Sequence, residues 1–230
     1  MENYHDFVSA LLKAGFSLAS GGNDEGVFNL FEHGWNEEPL ESPIRWHTGD
    51  LETDPWEWRI RVLDEREDIA YSKLFFRKAG YITKEWYPYF LAVRRGGKSF
   101  EEAYADGAIS HFAKRIYTVV EEHGSLPLHG IKQLAGFSRE DKSKFDQALT
   151  ELQMKLYLTM CGSQQKRSQK GAEYGWSSTV FCKTEQFFGE EVFVQAAEIE
   201  ADEAIQTITR QIFHLNPQAQ EKKIIKFIKG

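Results

Sequence analysis

The sequence predicts a mostly α-helical protein with minor β structure, built around a winged helix-turn-helix. Three observations carry that prediction. Between residues 108 and 185, three amphipathic helical patterns are followed by two strand-like runs joined by a polar turn. A short Gly136-Phe137-Ser138 connection separates the second and third helical patterns, as the turn of a helix-turn-helix does. The same segment is the basic part of an acidic chain: formal charge is −8 over residues 1–107, +3 over 108–185 and −2 over 186–230, for a total of −7. An aromatic-rich α+β region (1–107) leads into the winged helix-turn-helix (108–185), and a helical tail (186–230) follows.

At 230 residues, the chain can bury one or two cores, and 41% apolar with 27% charged residues excludes a disordered composition. The longest apolar runs, such as Phe90–Val93, fall far short of the ~20 residues that cross a bilayer. The N-terminus has neither a basic nor an apolar signal region. Cys161 and Cys182 sit in separate contexts without a metal-binding motif, so they read as reduced thiols in the cytoplasm.

Taken in order, the first helix covers Tyr4–Lys13, with Phe7, Val8, Leu11 and Leu12 at helical spacing. Gly21-Gly22-Asn23-Asp24 reads as a turn. Residues 33–58 form a long irregular segment with Pro39, Pro43 and Pro55, which Trp35, Trp46, Trp56 and Trp58 can pack down. The apolar run Trp86–Val93 ends at the basic stretch Arg94–Lys98, read as a solvated turn or a secondary phosphate contact. Ser99 and Glu102 have the spacing of a capping box, so a short helix starts there.

In the central segment, Ile109, Phe112, Ala113, Ile116 and Val120 define one face of a helix that stops at His123-Gly124. Pro127 suits the first turn of a second helix carrying Leu128, Ile131, Leu134 and Ala135, and Gly136 its stop. Ser138, three residues before Asp141, suits the cap of a third helix, whose core positions are Phe145, Leu149, Leu152 and Leu156. Strands over Leu156–Cys161 and Trp176–Lys183 complete the unit. In the tail, Pro217 is placed in the first turn of the last helix.

With Phe145 facing the core, 100° per residue puts Ser143, Gln147, Thr150 and Met154 on the outer side of the third helix, flanked by Lys144, Asp146 and Glu151. The Gln147 amide matches an adenine edge in the major groove. Lys166, Arg167 and Lys170 in the strand-joining turn suit phosphates and the adjacent minor groove. The expected DNA-binding residues are therefore Ser143, Lys144, Gln147, Thr150, Lys166, Arg167 and Lys170, and duplex DNA the expected partner. The alternative is a protein partner or a second copy of the chain.

A second concentration of chemistry lies in the N-terminal part: Trp46, His47, Asp50, Asp54, Trp58, Glu85 and Trp86, with Trp56 and Tyr87 beside them. An extruded base needs an aromatic slot and a carboxylate or amide, so these residues form a candidate pocket. Against it stands a plainer assignment, with tryptophans in the core and Asp54 capping a helix that Pro55 opens. No cofactor is expected. Pairing His47 with His33 or His111 lacks metal-ligand spacing, so no metal is expected either. Gly96-Gly97-Lys98-Ser99 imitates the end of a phosphate-binding loop, but Ala92 stands where its first glycine belongs.

Five stretches carry a resemblance to a known family: Trp46-His47-Thr48-Gly49, Asp54-Pro55-Trp56-Glu57-Trp58-Arg59, Glu85-Trp86-Tyr87-Pro88-Tyr89-Phe90-Leu91-Ala92, Leu134-Ala135-Gly136-Phe137-Ser138, and Ala148-Leu149-Thr150-Glu151-Leu152-Gln153. With them the chain resembles the AlkZ-related family, small bacterial cytoplasmic proteins distantly akin to the AlkZ/YcaQ DNA glycosylases. The resemblance implies a bacterial cytoplasmic protein and adds to the DNA-binding reading, with a link to DNA repair or regulation. The larger AlkZ-type glycosylases build tandem winged helices and hold their attacking water with a Gln-x-Gln pair near the N-terminus. This sequence has no such pair in its N-terminal third, and the strand-joining turn reads Gln164-Gln165-Lys166. Catalytic roles therefore transfer to no residue; the expectation leans to a binding protein, with a glycosylase-like enzyme of non-standard active site as the alternative.

Overall fold

Asn3 starts the first helix by accepting a hydrogen bond from the Asp6 backbone N–H, and Tyr4, Phe7, Val8, Leu11 and Ala14 form the stripe that α1 (Tyr4–Ala14) buries. Gly15 stops it at a φ of 89°, against the Trp86 indole, where a Cβ would collide. The computed structural model describes residues 1–19, 22, 25–34, 38–164 and 177–230. Trp35, Lys166, Arg167, Lys170 and most of the expected 21–24 turn lie outside the described residues.

After β1 (Phe16–Leu18) and α2 (Pro55–Glu65), the strands β2 (Ile69–Phe75) and β3 (Lys78–Thr83) form a hairpin, and β1 pairs with the far side of β3. Side chains on these strands alternate between two cores. Ile69, Tyr71 and Tyr81 join Phe7, Trp58 and Val62 under α1 and α2. Phe16, Leu18, Ala70 and Ile82 join Phe90, Ile208 and Phe227 on the opposite side. That second side is covered by α3 (Tyr87–Arg95) and by the tail helices α9 (Glu191–Ala197), α10 (Ala201–Leu215) and α11 (Glu221–Lys229). The sheet is thus covered by helices on both faces.

The remaining elements run α4 (Phe100–Ala105), α5 (His111–His123), β4 (Leu126–Pro127), α6 (Leu128–Leu134), α7 (Lys142–Met154), β5 (Leu158–Gln164), β6 (Ser178–Lys183) and α8 (Thr184–Phe188). The Ser99–Glu102 capping box opens α4 as expected. A third core forms here from Phe100, Ile116, Val120, Ile131, Phe145, Leu152 and Phe181. The six strands among the described residues belong to one antiparallel sheet in the order β1-β3-β2-β5-β6-β4. With helices over about half of the chain, this is a mixed α/β fold with more sheet than the sequence suggested.

Several local expectations are corrected. Pro127 precedes α6 and pairs in β4, rather than lying in the helix. Asp141, not Ser138, is the N-cap of α7, and its carboxylate accepts from the Ser138 N–H (3.1 Å) and hydroxyl (2.7 Å). Leu156 lies beyond α7 at a φ of 63° and packs in the core under α3. Pro217 lies in the turn before α11, where Asn216 accepts from the Gln218 and Ala219 N–H groups.

Arg94 and Arg95 are not a solvated turn. The Arg94 guanidinium donates to four carbonyls: Leu74 on β2 (2.8 Å), Met154 at the end of α7 (2.7 Å), and Phe227 and Ile228 in the last turn of α11 (2.8 Å each). The negative ends of two helix dipoles thus meet one cation. Burial pushes its pKa down to about 9, which keeps it charged at neutral pH. Arg95 pairs with Glu185 (2.6 Å), donates to the Leu156 carbonyl (2.7 Å) and lies over the Tyr157 ring. Side-chain hydrogen bonds finish the same seam. The Ser72 hydroxyl accepts from Met160 N–H (3.0 Å), and Gln153 accepts from Lys73 N–H (3.0 Å) where the β2–β5 ladder has one paired position, Tyr71 with Met160.

Candidate nucleic-acid interface

The helix α7 has two buried sides. Phe145, Ala148, Leu149 and Leu152 face α5, while Thr150 and Gln153 lie against β2. Of the residues expected on its outer face, Ser143, Lys144 and Gln147 are exposed, and Gln147 Nε2 donates to Ser143 Oγ (3.2 Å). Thr150 is 5% exposed and its hydroxyl donates to the Asp146 carbonyl (2.7 Å), so it cannot present a hydroxyl outward as expected. Lys144 pairs with Asp141 (3.3 Å) and stands over the Phe112 ring. Met154 is half-buried.

Alongside α7 runs a groove with two connected parts. One, about 550 Å³, lies between Lys73 and Arg77 on one wall and Lys142, Ser143, Asp146 and Gln147 on the other. The second, about 270 Å³, continues past Arg77 and Gln147 to Met154, Lys155 and Lys229. Arg77 stands where both parts meet, at the tip of the β2–β3 hairpin. Its position follows from the turn: Phe76 and Arg77 have φ of 50° and 63°, the left-handed pair of a two-residue type I′ loop. Non-glycine residues take that conformation at a cost, and Phe76 offsets it by packing on the core around Phe227.

The walls carry Lys73, Arg77, Lys142, Lys155 and Lys229 against Glu140, Asp146 and Glu151. Glu151 is engaged, accepting from the Ser110 N–H (2.9 Å). No ion pair joins any of the five cations to a carboxylate among the described residues. Cations without a carboxylate partner among the described residues, with Arg77, Lys142 and Lys229 exposed and Lys73 and Lys155 half-buried, form a surface for a polyanion along the groove. The sequence nominated none of these five. A two-residue loop of Phe and Arg lacks the Asn-Gly signature of a type I′ turn, and Lys229 reaches the groove through tertiary packing of α11.

The N-terminal candidates are not brought into one slot. Trp58 is fully buried, stacked on Phe7 at 5.2 Å, and its indole N–H donates to the Glu52 carbonyl (3.1 Å). Trp46 packs edge-on against Phe31 in the same core, whereas Trp86 packs edge-on against Phe16 in the core across the sheet. Asp54 is fully buried and saturated: its carboxylate accepts from the N–H groups of His47 (3.1 Å), Thr48 (2.7 Å), Gly49 (2.9 Å) and Trp56 (2.8 Å), capping α2. Asp50 lies fully exposed, its carboxyl held below the usual range by the Thr53 and Glu52 N–H groups. His47 is exposed near Trp56 at 5.0 Å, and Glu85 is exposed beside Lys84 and Glu191 in a separate depression.

Among the described residues, no cluster of three or more His, Cys, Asp or Glu side chains is placed to hold a metal ion, and no helix is long and apolar enough to cross a membrane. A Gln-x-Gln triplet unnoticed in the sequence, Gln218-Ala219-Gln220, leads into α11, where the Gln220 N–H donates to the Gly26 carbonyl (2.8 Å). A family model described as AlkZ related matches residues 1–229. No curated protein and no solved structure matches the chain.

Proposed function

The chain belongs to the AlkZ-related family, and from that premise we propose that it is a DNA-binding protein of winged-helix form that seats duplex DNA along α7. The observation that carries the reading is the row of five unpaired cations beside that helix. Two features support it. The order α5, β4, α6, α7, β5, β6, with β4 paired to β6, is the helix-strand-helix-helix-strand-strand order of a winged helix. The connection between α6 and α7 turns at Gly136, at a φ of 68°.

In this reading residues 108–185 present the main nucleic-acid surface, 1–107 and 186–230 support it and add Lys73, Arg77 and Lys229 to its groove, and the two free thiols fit a reducing cytoplasm. Gln147 is aimed at a base edge, Ser143 and Lys144 sit at the entry of α7, and Lys73, Arg77 and Lys142 contact phosphates. Lys166, Arg167 and Lys170, in the stretch joining β5 to β6, extend the phosphate contacts.

Fluorescence anisotropy of a short duplex, measured across a salt series, tests the reading. Binding weakens steeply with salt, and replacing Lys73, Arg77 and Lys142 together by alanine lowers the log–log slope by up to about 3. The Lys166, Arg167 and Lys170 triple variant lowers it likewise. No binding by the wild-type protein at low salt overturns the proposal in favour of a protein partner. Duplex containing alkylated purines yields no abasic sites. Strand scission that is lost on Asp50→Asn, Asp54→Asn or Glu85→Gln would replace the binding protein with a glycosylase-like enzyme.

A further inference from the structure

The two cysteines, far apart in sequence, meet on neighbouring strands. In the β5–β6 ladder Thr159 faces Cys182 and Met160 faces Phe181, then Gly162 faces Val180. Cys161 is therefore the extra residue of a β-bulge, two positions along β5 from the Thr159–Cys182 pair. Both thiols line one open pocket of about 750 Å³ between the end of α2, the hairpin and Gln186 of α8. Cys161 is half-buried at its wall, while Cys182 is 2% exposed behind it. The neighbouring Cys182 thiol lowers the Cys161 pKa from its ordinary value, while Cys161 and burial push Cys182 up. One sulfur is thus the more accessible and the more readily ionised and the other is sheltered, the division of labour of an attacking and a resolving cysteine.

We propose that Cys161 and Cys182 form an oxidisable dithiol that reduces a small uncharged peroxide and closes into an intrachain disulfide across β5 and β6. The Cys161 thiolate attacks one peroxide oxygen, the O–O bond breaks, and the departing oxygen takes a proton and leaves as water. The Cys182 sulfur, giving up its proton, then displaces the hydroxyl from the Cys161 sulfenic acid, and a second water leaves. Two thiols are oxidised to one disulfide and one peroxide is reduced to two waters. The choice of an uncharged oxidant follows from the pocket rim, where Asp64, Glu65, Glu67 and Asp68 outnumber Arg66 and Lys84 and repel an anionic disulfide such as oxidised glutathione.

The reduced full chain is treated with hydrogen peroxide or with oxidised glutathione, followed by thiol titration, intact-mass measurement and non-reducing peptide mapping. Peroxide removes both titratable thiols, lowers the mass by two hydrogens and links the peptides holding Cys161 and Cys182, all in the wild-type protein. In Cys182→Ser, Cys161 stops at a sulfenic acid trapped by dimedone; in Cys161→Ser, Cys182 stays unreacted. Disulfide-linked dimers, or Cys161 oxidised to sulfinic acid while Cys182 remains titratable, overturn the pair. A glutathione adduct that forms faster than the peroxide product overturns the uncharged substrate.

Discussion

The N-terminal cluster and the α7 groove are rich in chemistry-bearing side chains, and the fold treats them in opposite ways. Around Trp58 most polar groups are spent on the chain itself: Asp54 takes four backbone N–H groups and the Trp58 indole N–H is bound to the Glu52 carbonyl, while the Trp46 indole N–H stays buried without a partner. Along α7, Lys73, Arg77, Lys142, Lys155 and Lys229 have no carboxylate partner among the described residues and line a groove open to solvent. A dense set of aromatic and acidic residues that satisfies itself is a scaffold, whereas a sparse set of cations left unsatisfied is an interface.

The sharpest way to break that contrast is Trp58→Ala. It removes a fully buried ring stacked on Phe7 and lowers unfolding free energy by about 3–5 kcal/mol, read as a lower urea midpoint. The folded fraction should bind DNA with unchanged affinity, and loss of binding by folded protein would make the cluster an interface after all. Gln147→Ala tests the opposite region. It changes the unfolding free energy by no more than about 0.5 kcal/mol, as an exposed site should, and weakens preference for adenine-containing sites by about 1–3 kcal/mol in competition binding. A uniform loss across all sequences would make it a phosphate contact.

The smallest effect concerns the start of α7. Ser138, then Lys144, holds the Asp141 carboxyl below its usual range. A carboxylate so depressed in the folded state contributes stability above its unfolded pKa and loses it as pH falls through the folded one. The wild-type advantage over Ser138→Ala is therefore present at neutral pH and shrinks below the ordinary aspartate range. An advantage that is independent of pH would mean that the hydroxyl acts without the charge.

The elements with one buried side were legible from sequence: α1, α4, α5 and most of α7 have apolar spacings that match what they bury. The strand β2 was not, because helices cover both of its faces and Ile69–Phe75 shows no polar alternation. Thr150 was misplaced for a related reason. Reckoning from Phe145 alone assumed one buried face, whereas α7 also packs its Thr150–Gln153 side on β2. Arg94 and Arg95 looked like solvent-facing charges beside Gly96-Gly97, and no local pattern reveals four carbonyls brought together from Leu74, Met154, Phe227 and Ile228.

That carbonyl cradle sets an order in time. During synthesis Arg94 leaves the ribosome long before its last acceptor, 134 residues later in the chain at Ile228. Until then its guanidinium has water for a partner in place of the α11 carbonyls, and the C-terminal end of α7 lacks the anchor that joins it to α11. Closure over so long a loop is slow to reach and commits several elements at once. The nascent chain therefore passes through a long interval in which α7 can form while its groove lacks the Lys229 wall, and the surface is completed only when the final helix docks.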